Sequence, residues 1–331
     1  MMNTYRIQLE LRSPLGTPLA ADTLWGHIAW GIRYSGGEPA LLDWLDRYDS
    51  DTPPLVISDL LPAGFWPRPA IPRPVAAISV PDKAAAGRRK IAAKRAWISH
   101  AAWQNLSSSL SSTSLESALA QDPVPPKPVE VAVLHAAVNR LTSGTAQEGG
   151  GTLFPSSVFC YGAAEPPQFE VWAHSTEPTS VIQGWFEAAL HAGYGRDAGT
   201  GCGQLAVTTV AAQDLPMPPN PNAAILLGPA VPCPSDPANG FFSFGVRCGR
   251  VGGDFAIGLL PDGSDQRQKR PVHCLLRGSV LLCSKPSMFV GQSVRGVHRV
   301  ESIRQYTMAP LLPCTLHSSL LEHPVLQEAR S

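Results

Sequence analysis

The chain has 331 residues, 44% of them hydrophobic, and its 26 basic residues balance 26 acidic ones. This length predicts about two globular domains, and zero formal net charge leaves any attraction to nucleic acid to local clusters of charge. No run approaches the ~18 apolar residues of a membrane span, and the first residues do not have the order of a signal peptide. We therefore expect a cytoplasmic protein with no membrane partner.

Seven cysteines are scattered along the chain, and none forms a C-x-x-C pair. Such spacing indicates neither a disulfide framework nor a zinc site. We therefore expect no metal and no cofactor, and we interpret the cysteines as small apolar core residues.

The first elements are a strand and two helices. Alternation of Tyr5, Ile7, Leu9 and Leu11 with polar residues has the period of a half-buried strand. Helical spacing follows over 24–34, where Asp22 and Thr23 supply oxygens for an N-cap. A second short helix is predicted over 39–48.

The segment from about 82 to 128 differs in composition from its surroundings. A basic stretch is followed by the serine-rich run NLSSSLSSTSLES and by DPVPPKPVE. We interpret it as an insertion that is mobile or ordered only by a partner, because it offers little apolar surface to bury. Its basic residues either contact phosphates or form a solvated helical face, and the candidates are Arg88, Arg89, Lys94 and Arg95.

The remaining elements complete a fold pattern. A long hairpin is predicted over 129–162, then a strand, a capped helix over 179–192 and a last strand over 204–211. The order strand, helix, strand, strand, helix, strand predicts an α+β, ferredoxin-like (RRM-like) domain over 1–215. A second domain over 216–331, ferredoxin-like or mainly β, follows a proline-rich boundary.

Five glycines between the last helix and the last strand form a glycine-rich loop: Gly193, Gly195, Gly199, Gly201 and Gly203. Two glycines would suffice for a helix C-cap and a turn. Five predict close approach to another polymer, with exposed amides that bind phosphate oxygens beside the charge of Arg196. The helix precedes the loop and the strand follows it, which is the reverse of a Rossmann or P-loop site.

This loop resembles the glycine-rich loop of the RAMP superfamily of CRISPR RNA-binding proteins. Four further stretches stand in the same order as in the Csm subunit four family of type III-A complexes: ADTLWGHIAWGIR (21–33), AKRAWISHAAW (93–103), HAAVNRLTSGT (135–145) and LLRGSVLLC (275–283). The sequence departs from the family at Cys202, Gln204 and Leu205, where relatives carry basic and aromatic residues.

The resemblance implies a non-catalytic subunit of a type III CRISPR interference complex. Such a subunit holds the repeat-derived 5′ tag of the guide RNA and contacts the large polymerase-like Cas subunit and the backbone RAMP subunit. The glycine loop and Arg196 would approach the tag, and the hairpin would act as a thumb that displaces bases. The implied contacts at the base of the hairpin are His135, Asn139 and Arg140.

Other residues leave alternatives open. Arg277, Arg295 and Arg299 could line the RNA path or be ordinary surface arginines. Trp66, Trp97 and Trp103 could stack on bases or fill a core.

Three alternative functions also stay open. His27, His135 and Asp22 permit a guide-processing endoribonuclease, which needs a general base and acid near a 2′-hydroxyl. The second alternative is the equivalent subunit of another type III subtype, and the third is an interaction protein without RNA contact.

Overall fold

The computed structural model describes residues 2–74, 83–137, 144, 153–162, 165–256, 267–324 and 326. In chain order, the first elements are β1 Asn3–Leu11, α1 Ala21–Asp46, β2 Leu55–Ile57, β3 Leu61–Pro62, β4 Phe65–Pro67, α2 Lys83–Ala93, β5 Trp97–Ser99, α3 His100–Leu106, α4 Ser112–Gln121, β6 Pro128–Ala136, β7 Leu153–Tyr161, β8 Gln168–Ser175, α5 Thr179–Leu190 and β9 Leu205–Ala212. The later elements are β10 Ala223–Leu226, β11 Gly240–Phe241, β12 Phe244–Arg247, β13 Val272–Leu275, β14 Val280–Leu282, β15 Phe289–Val294, β16 Gln305–Cys314 and α6 Ser318–Leu321. The predicted mixture of helices with antiparallel sheets is confirmed.

The first sheet is antiparallel, with its strands in the order β2–β8–β1–β9 and β3 paired to β8. Tyr5, Ile7 and Leu9 point to one face, where α1 and α5 bury them. This is the alternation that the sequence shows in the first strand. Both long helices therefore cover one face of the sheet, and α5 leads directly into the glycine loop.

Helix α1 begins earlier than the sequence predicts. Its N-cap residue is Ala20, which makes no side-chain hydrogen bond. The amide of Ala21 instead donates to Oδ1 of Asp59 at 2.8 Å. The predicted N-cap role of Asp22 and Thr23 is wrong, because a carboxylate 38 residues away supplies the acceptor.

The two predicted helices over 24–48 belong to one bent segment. Gly37 interrupts α1 with φ +81°, and Pro39 follows it. The two arms fold against each other, so that the rings of Trp25 and Trp44 lie 5.3 Å apart.

The segment over 83–122 is ordered by its own packing, so the prediction of a mobile insertion is wrong. Trp103, Leu115 and Leu119 are at most 2% exposed. Part of the serine-rich run caps a helix, because Ser111 and Ser114 form a capping box at the start of α4. Ser99, which precedes the run, caps α3 by accepting from the amide of Ala102. Apolar residues at helical spacing between these caps provide the buried surface that the composition alone conceals.

This segment covers part of the sheet face opposite the helices. Glu170 of β8 is fully buried there, 2.6 Å from Arg6 Nη2 and 2.9 Å from His100 Nε2. Trp66 stacks on His100 with centroids 4.2 Å apart. Trp66 and Trp103 are 2% and 0% exposed, so both are core residues, and the alternative of base stacking is wrong for them.

The second sheet is also antiparallel, in the order β11–β14–β10–β16–β15, and β12 pairs with β13 in a separate ribbon. Strand β16 is buried along its whole length. The hydroxyl of Tyr306 accepts from the amide of Ile57 at 2.6 Å and donates to its carbonyl at 3.0 Å. Tyr306 and Met308 pack in the same core as β1 and α1, so the two sheets are joined through β16.

Candidate nucleic-acid interface

The glycine loop between α5 and β9 owes its composition to tight internal packing. Gly193, Gly195, Gly201 and Gly203 have φ between +68° and +97°, where a side chain is strained. A β-carbon on Gly203 would lie 2.0 Å from the carbonyl oxygen of Tyr194. One on Gly195 would lie 2.7 Å from Cβ of Thr17. Glycine is therefore required here by the fold itself.

The loop amides donate hydrogen bonds within the chain. Gly193 donates to Leu190 O at 2.9 Å, Gly201 to Ala198 O at 3.1 Å and Gly203 to Pro14 O at 2.7 Å. Gly195 donates to Nε2 of His27 at 2.9 Å. The prediction that loop amides are left bare for phosphate is wrong for these four glycines, because each already has an acceptor.

The tip of the loop is more open than its base. Around Gly199 and Gly201, a β-carbon would meet no atom of the chain within 4 Å. Both residues are exposed, whereas Gly193 and Gly203 are buried. A ligand would therefore approach the tip of this loop and not its glycine-rich base.

Two side chains, Tyr194 and Thr17, anchor the glycine loop to the segment before α1, and the sequence pattern predicted a role for neither. Tyr194 is fully buried, and its hydroxyl accepts from the amide of Ala20 at 2.8 Å and donates to Pro18 O at 3.0 Å. Burial raises the pKa of this hydroxyl. The hydroxyl of Thr17 accepts from the amide of Arg196 at 2.9 Å. The segment between β1 and α1 looked like an ordinary proline-containing turn, so no sequence signal marked it.

His27 also belongs to this anchor. Burial lowers the pKa of its imidazole, which favours the neutral ring that can accept from the amide of Gly195. Its ring lies 5.5 Å from that of Tyr194. The structure thus gives His27 an acceptor role in holding the loop.

Arg196 connects the loop to the predicted hairpin. Its Nη2 donates to the carbonyl of Ser157 in β7, and its Nε lies 3.1 Å from Oδ2 of Asp197. Leu15 and Phe159 exchange backbone hydrogen bonds of 3.0 and 2.8 Å at the same place. The loop, the β1–α1 turn and the base of the hairpin therefore form one unit.

The hairpin of β6 and β7 leaves large apolar side chains exposed. Directly opposite residues share a face, which puts Val129, Val131 and Phe154 together, with exposures of 63%, 40% and 50%. Leu134 and Leu153, at 65% and 60%, lie at its outer end. A two-stranded ribbon is marginally stable by itself, and exposed apolar patches of this kind mark interaction surfaces.

His135 lies on this hairpin, but at its outer end opposite Phe154 and not at the base of the hairpin, where the resemblance implied it. Its ring stacks on Phe154 with centroids 5.5 Å apart, and its Nε2 is 2.8 Å from Oγ of Ser156. Asn139 and Arg140, the other two residues implied for this region, lie outside the described residues.

Arg277 lies near the start of α1. Its Nη1 is 2.8 Å from Oδ2 of Asp59, and its guanidinium lies 4.9 Å from the centroid of the Trp97 ring. Asp59 is the same carboxylate that accepts from Ala21, next to the Ala20 amide held by Tyr194.

Arg295 lies instead at the other end of α1. It forms ion pairs with Asp49 and Asp46 there, beside the buried Arg304 that pairs with the same two carboxylates. Arg277 therefore shares Asp59 with the first amide of α1, whereas Arg295 pairs with carboxylates at the other end of that helix.

The basic residues of the 83–122 segment are partly paired. Nε of Arg89 lies 3.3 Å from Glu116, and Nη2 of Arg95 donates to the carbonyl of Asp122 at 3.0 Å. Arg88 and Lys94 are exposed. Among the described residues, no group of three metal-binding side chains converges, and none of the helices that the structure describes is long and apolar enough to cross a membrane.

Solved structures identify the class of fold, which is that of a subunit found in type III-A CRISPR complexes. A chain of the Csm1–Csm4 cassette in complex with cA4 is similar with TM-score 0.53 and 14% identity, over 94% of this chain and 98% of that chain. The AMPPNP complex of the same cassette gives TM-score 0.50 and 16% identity over the same shares.

A chain of the Csm3–Csm4 subcomplex of the type III-A interference complex gives TM-score 0.52 and 13% identity, over 94% of this chain and 99% of that one. The chain thus resembles Csm4, the subunit that these assemblies have in common. No family model and no curated protein matches the sequence.

Proposed function

We propose that this chain is a non-catalytic subunit of a type III CRISPR interference complex that binds the repeat-derived 5′ tag of the guide RNA. It would dock the large polymerase-like Cas subunit at one side and a backbone RAMP subunit at the other. The observation that carries this proposal is the likeness to Csm4 over nearly the full length of both chains. The four ordered sequence stretches that resemble the same family support it independently.

The topology of the first sheet fits the fold that this function requires. In chain order, β1, α1, β2, β8, α5 and β9 alternate as strand, helix, strand, strand, helix, strand. Their antiparallel order β2–β8–β1–β9 is the ferredoxin-like arrangement, and we assign this domain to it. The segment between β2 and β8 carries both the 83–122 helices and the hairpin.

Recognition of the guide would depend on side chains more than on loop amides. The hairpin offers Phe154 and His135 as a stacked, exposed pair, and aromatic side chains hold single-stranded bases without sequence preference. Arg196, 46% exposed at the edge of the loop, and Arg277 would contact phosphates. The exposed tip of the glycine loop would leave room for the RNA strand between these two arginines and the hairpin.

The apolar hairpin also supports assembly with protein partners. Val129, Leu134 and Leu153 are each at least 60% exposed, which is costly for a surface facing only water. Zero formal net charge suits a subunit whose surface is largely covered by neighbours.

The test is assembly and guide retention. The full chain would be co-expressed with the large Cas subunit, the backbone subunit and a guide RNA, and the 5′ end of the guide would carry a photocrosslinker. We expect crosslinks to the hairpin or to the tip of the loop. Crosslinks confined to the other subunits would overturn RNA binding by this chain.

A matched pair of variants makes this test specific. Phe154→Ser removes the exposed ring of the hairpin, and Met217→Ser removes a 65% exposed apolar side chain outside it. We expect the first variant to reduce guide retention or crosslinking and the second to leave both unchanged. Equal effects of the two variants would contradict the role of the hairpin.

The endoribonuclease alternative has a separate test. We expect the full chain not to cleave repeat RNA, because His27 accepts from a loop amide and His135 lies on an exposed ribbon. Specific cleavage that His27→Ala or His135→Ala abolishes would establish the enzyme instead.

A further inference from the structure

A cavity of about 420 Å³ lies next to Arg277. Its described lining includes Arg68, Arg73 and Arg277, and none of these lining residues is acidic. Prolines and Phe242 form much of the rest. The volume lies in the range of pockets that hold one small ligand, and three guanidinium groups favour an anion.

The fold holds two of these arginines in place. Nη1 of Arg68 donates to Ala92 O at 2.9 Å, at the end of α2. Asp59 and Trp97 orient Arg277. Burial lowers the pKa of Arg68, and the neighbouring charge of Arg73 lowers it further. A bound anion would relieve this repulsion, because opposite charge stabilises the protonated guanidinium.

Exposed aromatic rings adjoin the cavity. Phe242 lines it, and the ring of Phe244 lies 6.1 Å from that of Phe242 at 70°. Phe244, the first residue of β12, is 74% exposed, and Val246 on the same strand is 52% exposed. Nothing in the packing of the described chain accounts for a phenylalanine this exposed, whereas unpaired bases stack well on such rings.

We propose that the arginine cavity and Phe244 form a second binding site for single-stranded RNA, which shares Arg277 with the guide path proposed above. Phosphates would lie against Arg68, Arg73 and Arg277, and a base would stack on Phe244. This inference rests on the proposed function, since it takes the ligand to be the guide strand. Asp59 connects the two sites, because it contacts Arg277 and also the first amide of α1 beside the loop anchor.

The combination of groups favours RNA over an acidic peptide. A peptide would need only the cations, whereas a single strand presents a phosphate and a flat base within one nucleotide. Here three arginines line the cavity, and the exposed ring of Phe244 lies 6.1 Å from that of Phe242 in the same lining, a combination that is typical of sites that track single strands.

The experiment measures binding of a fluorescein-labelled octauridylate to the full chain at several salt concentrations. Arg73→Gln should weaken binding and reduce the slope of log affinity against log salt by about 0.7, the value of one phosphate contact. Phe244→Ser should weaken binding roughly 5- to 150-fold, as loss of one stacked base does, with the slope unchanged.

Two control variants match these changes. Arg250→Gln removes an exposed arginine that does not line the cavity, and Tyr34→Ser removes a ring that is 69% exposed on α1. Both should bind octauridylate as the unmodified chain does. Loss of binding in the controls as large as in Arg73→Gln and Phe244→Ser would show nonspecific attraction and overturn the second site.

Further outcomes separate this site from the proposed function. Competition by inorganic phosphate or uridine monophosphate as effective as that by octauridylate would mean a small-anion site and would overturn the proposal, as would no binding of octauridylate. Normal binding by both variants, with weaker binding by Phe154→Ser, would refute the second site and leave the hairpin function standing. In the assembled complex, crosslinks from position 244 to protein alone would assign this surface to a protein partner and refute RNA binding there.

Discussion

The glycine loop and the β6–β7 hairpin are neighbours that differ in how their exposed groups are used. The loop looks like a ligand cradle in sequence, yet the amides of Gly193, Gly195, Gly201 and Gly203 all donate within the chain. The hairpin looks like an ordinary pair of strands, yet Phe154 and Leu134 project into solvent.

This difference separates groups that are already bonded within the chain from groups that face solvent. Amides that already donate within the chain stabilise the loop conformation. They can donate to a ligand only if an internal hydrogen bond breaks. Groups without internal contacts remain available, and an apolar side chain in water gains by being covered. The loop therefore has a structural role. It holds the base of the hairpin in position, and the hairpin carries the exposed apolar side chains.

The strongest test of this comparison is Gly203→Ala. A β-carbon there would lie 2.0 Å from Tyr194 O, at a φ of +68°. Backbone strain and overpacking together should lower the free energy of unfolding by about 3 kcal/mol or more. Urea denaturation measures this change in the free energy of unfolding. The control is Gly199→Ala at the open tip of the loop, which should change the free energy of unfolding by less than about 0.5 kcal/mol. If both variants behave alike, the loop is not packed as described.

A pH series tests the anchor of the loop. Burial lowers the pKa of His27, whereas an unfolded histidine takes up its proton near pH 6.5. The unfolded chain therefore binds more protons as the pH falls, and stability should be lost below about pH 6.5. His27→Gln keeps an acceptor but does not titrate.

Hydrogen exchange provides the local measurement for the same series. The protection factor of the Gly195 amide, which corrects for the intrinsic slowing of exchange in acid, should fall below about pH 6.5 in the unmodified chain and much less in His27→Gln. Identical acid profiles for the two proteins would contradict the acceptor role of His27.

Arg196→Gln tests the link between the two regions. The variant loses the contact from Nη2 to the Ser157 carbonyl, which at an exposed site should cost about 1 kcal/mol. We expect faster hydrogen exchange in β7 with little change in α5. Arg196→Lys keeps the positive charge but not the planar set of guanidinium donors, so it should restore the slow exchange of β7 only in part. Full restoration would mean that the charge alone connects the loop to the hairpin.

The smallest change in stability is expected for the hairpin. Leu134→Ser alters a side chain that is 65% exposed, so the free energy of unfolding should stay within about 0.5 kcal/mol while assembly with partner subunits weakens. Val158→Ser, at a position only 9% exposed on the same ribbon, should destabilise the chain by more than about 1 kcal/mol. Thermal denaturation and co-purification together distinguish the two, and unimpaired assembly of Leu134→Ser would remove the hairpin from the interface.

Sequence patterns predicted the elements whose periodicity is strong. The alternation in β1 and the helical spacing of α5 are local properties, and both elements are found where they were expected. The serine-rich run was misjudged because Ser111 and Ser114 form a capping box at the start of α4, which composition does not reveal. The acceptors of the loop amides are Pro14, His27, Leu190 and Ala198. Pro14 and His27 lie more than 160 residues from the glycines that they bind. Such long-range partners have no signature in the loop itself.

The hydroxyl of Tyr306 forms hydrogen bonds with both the amide and the carbonyl of Ile57, and these bonds restrict motion between the two sheets. Because β16 packs in both cores, a rotation of one sheet against the other would have to break these two hydrogen bonds. A partner subunit and an RNA strand bound to the two sheets, as proposed above, would then stay at a fixed distance from each other.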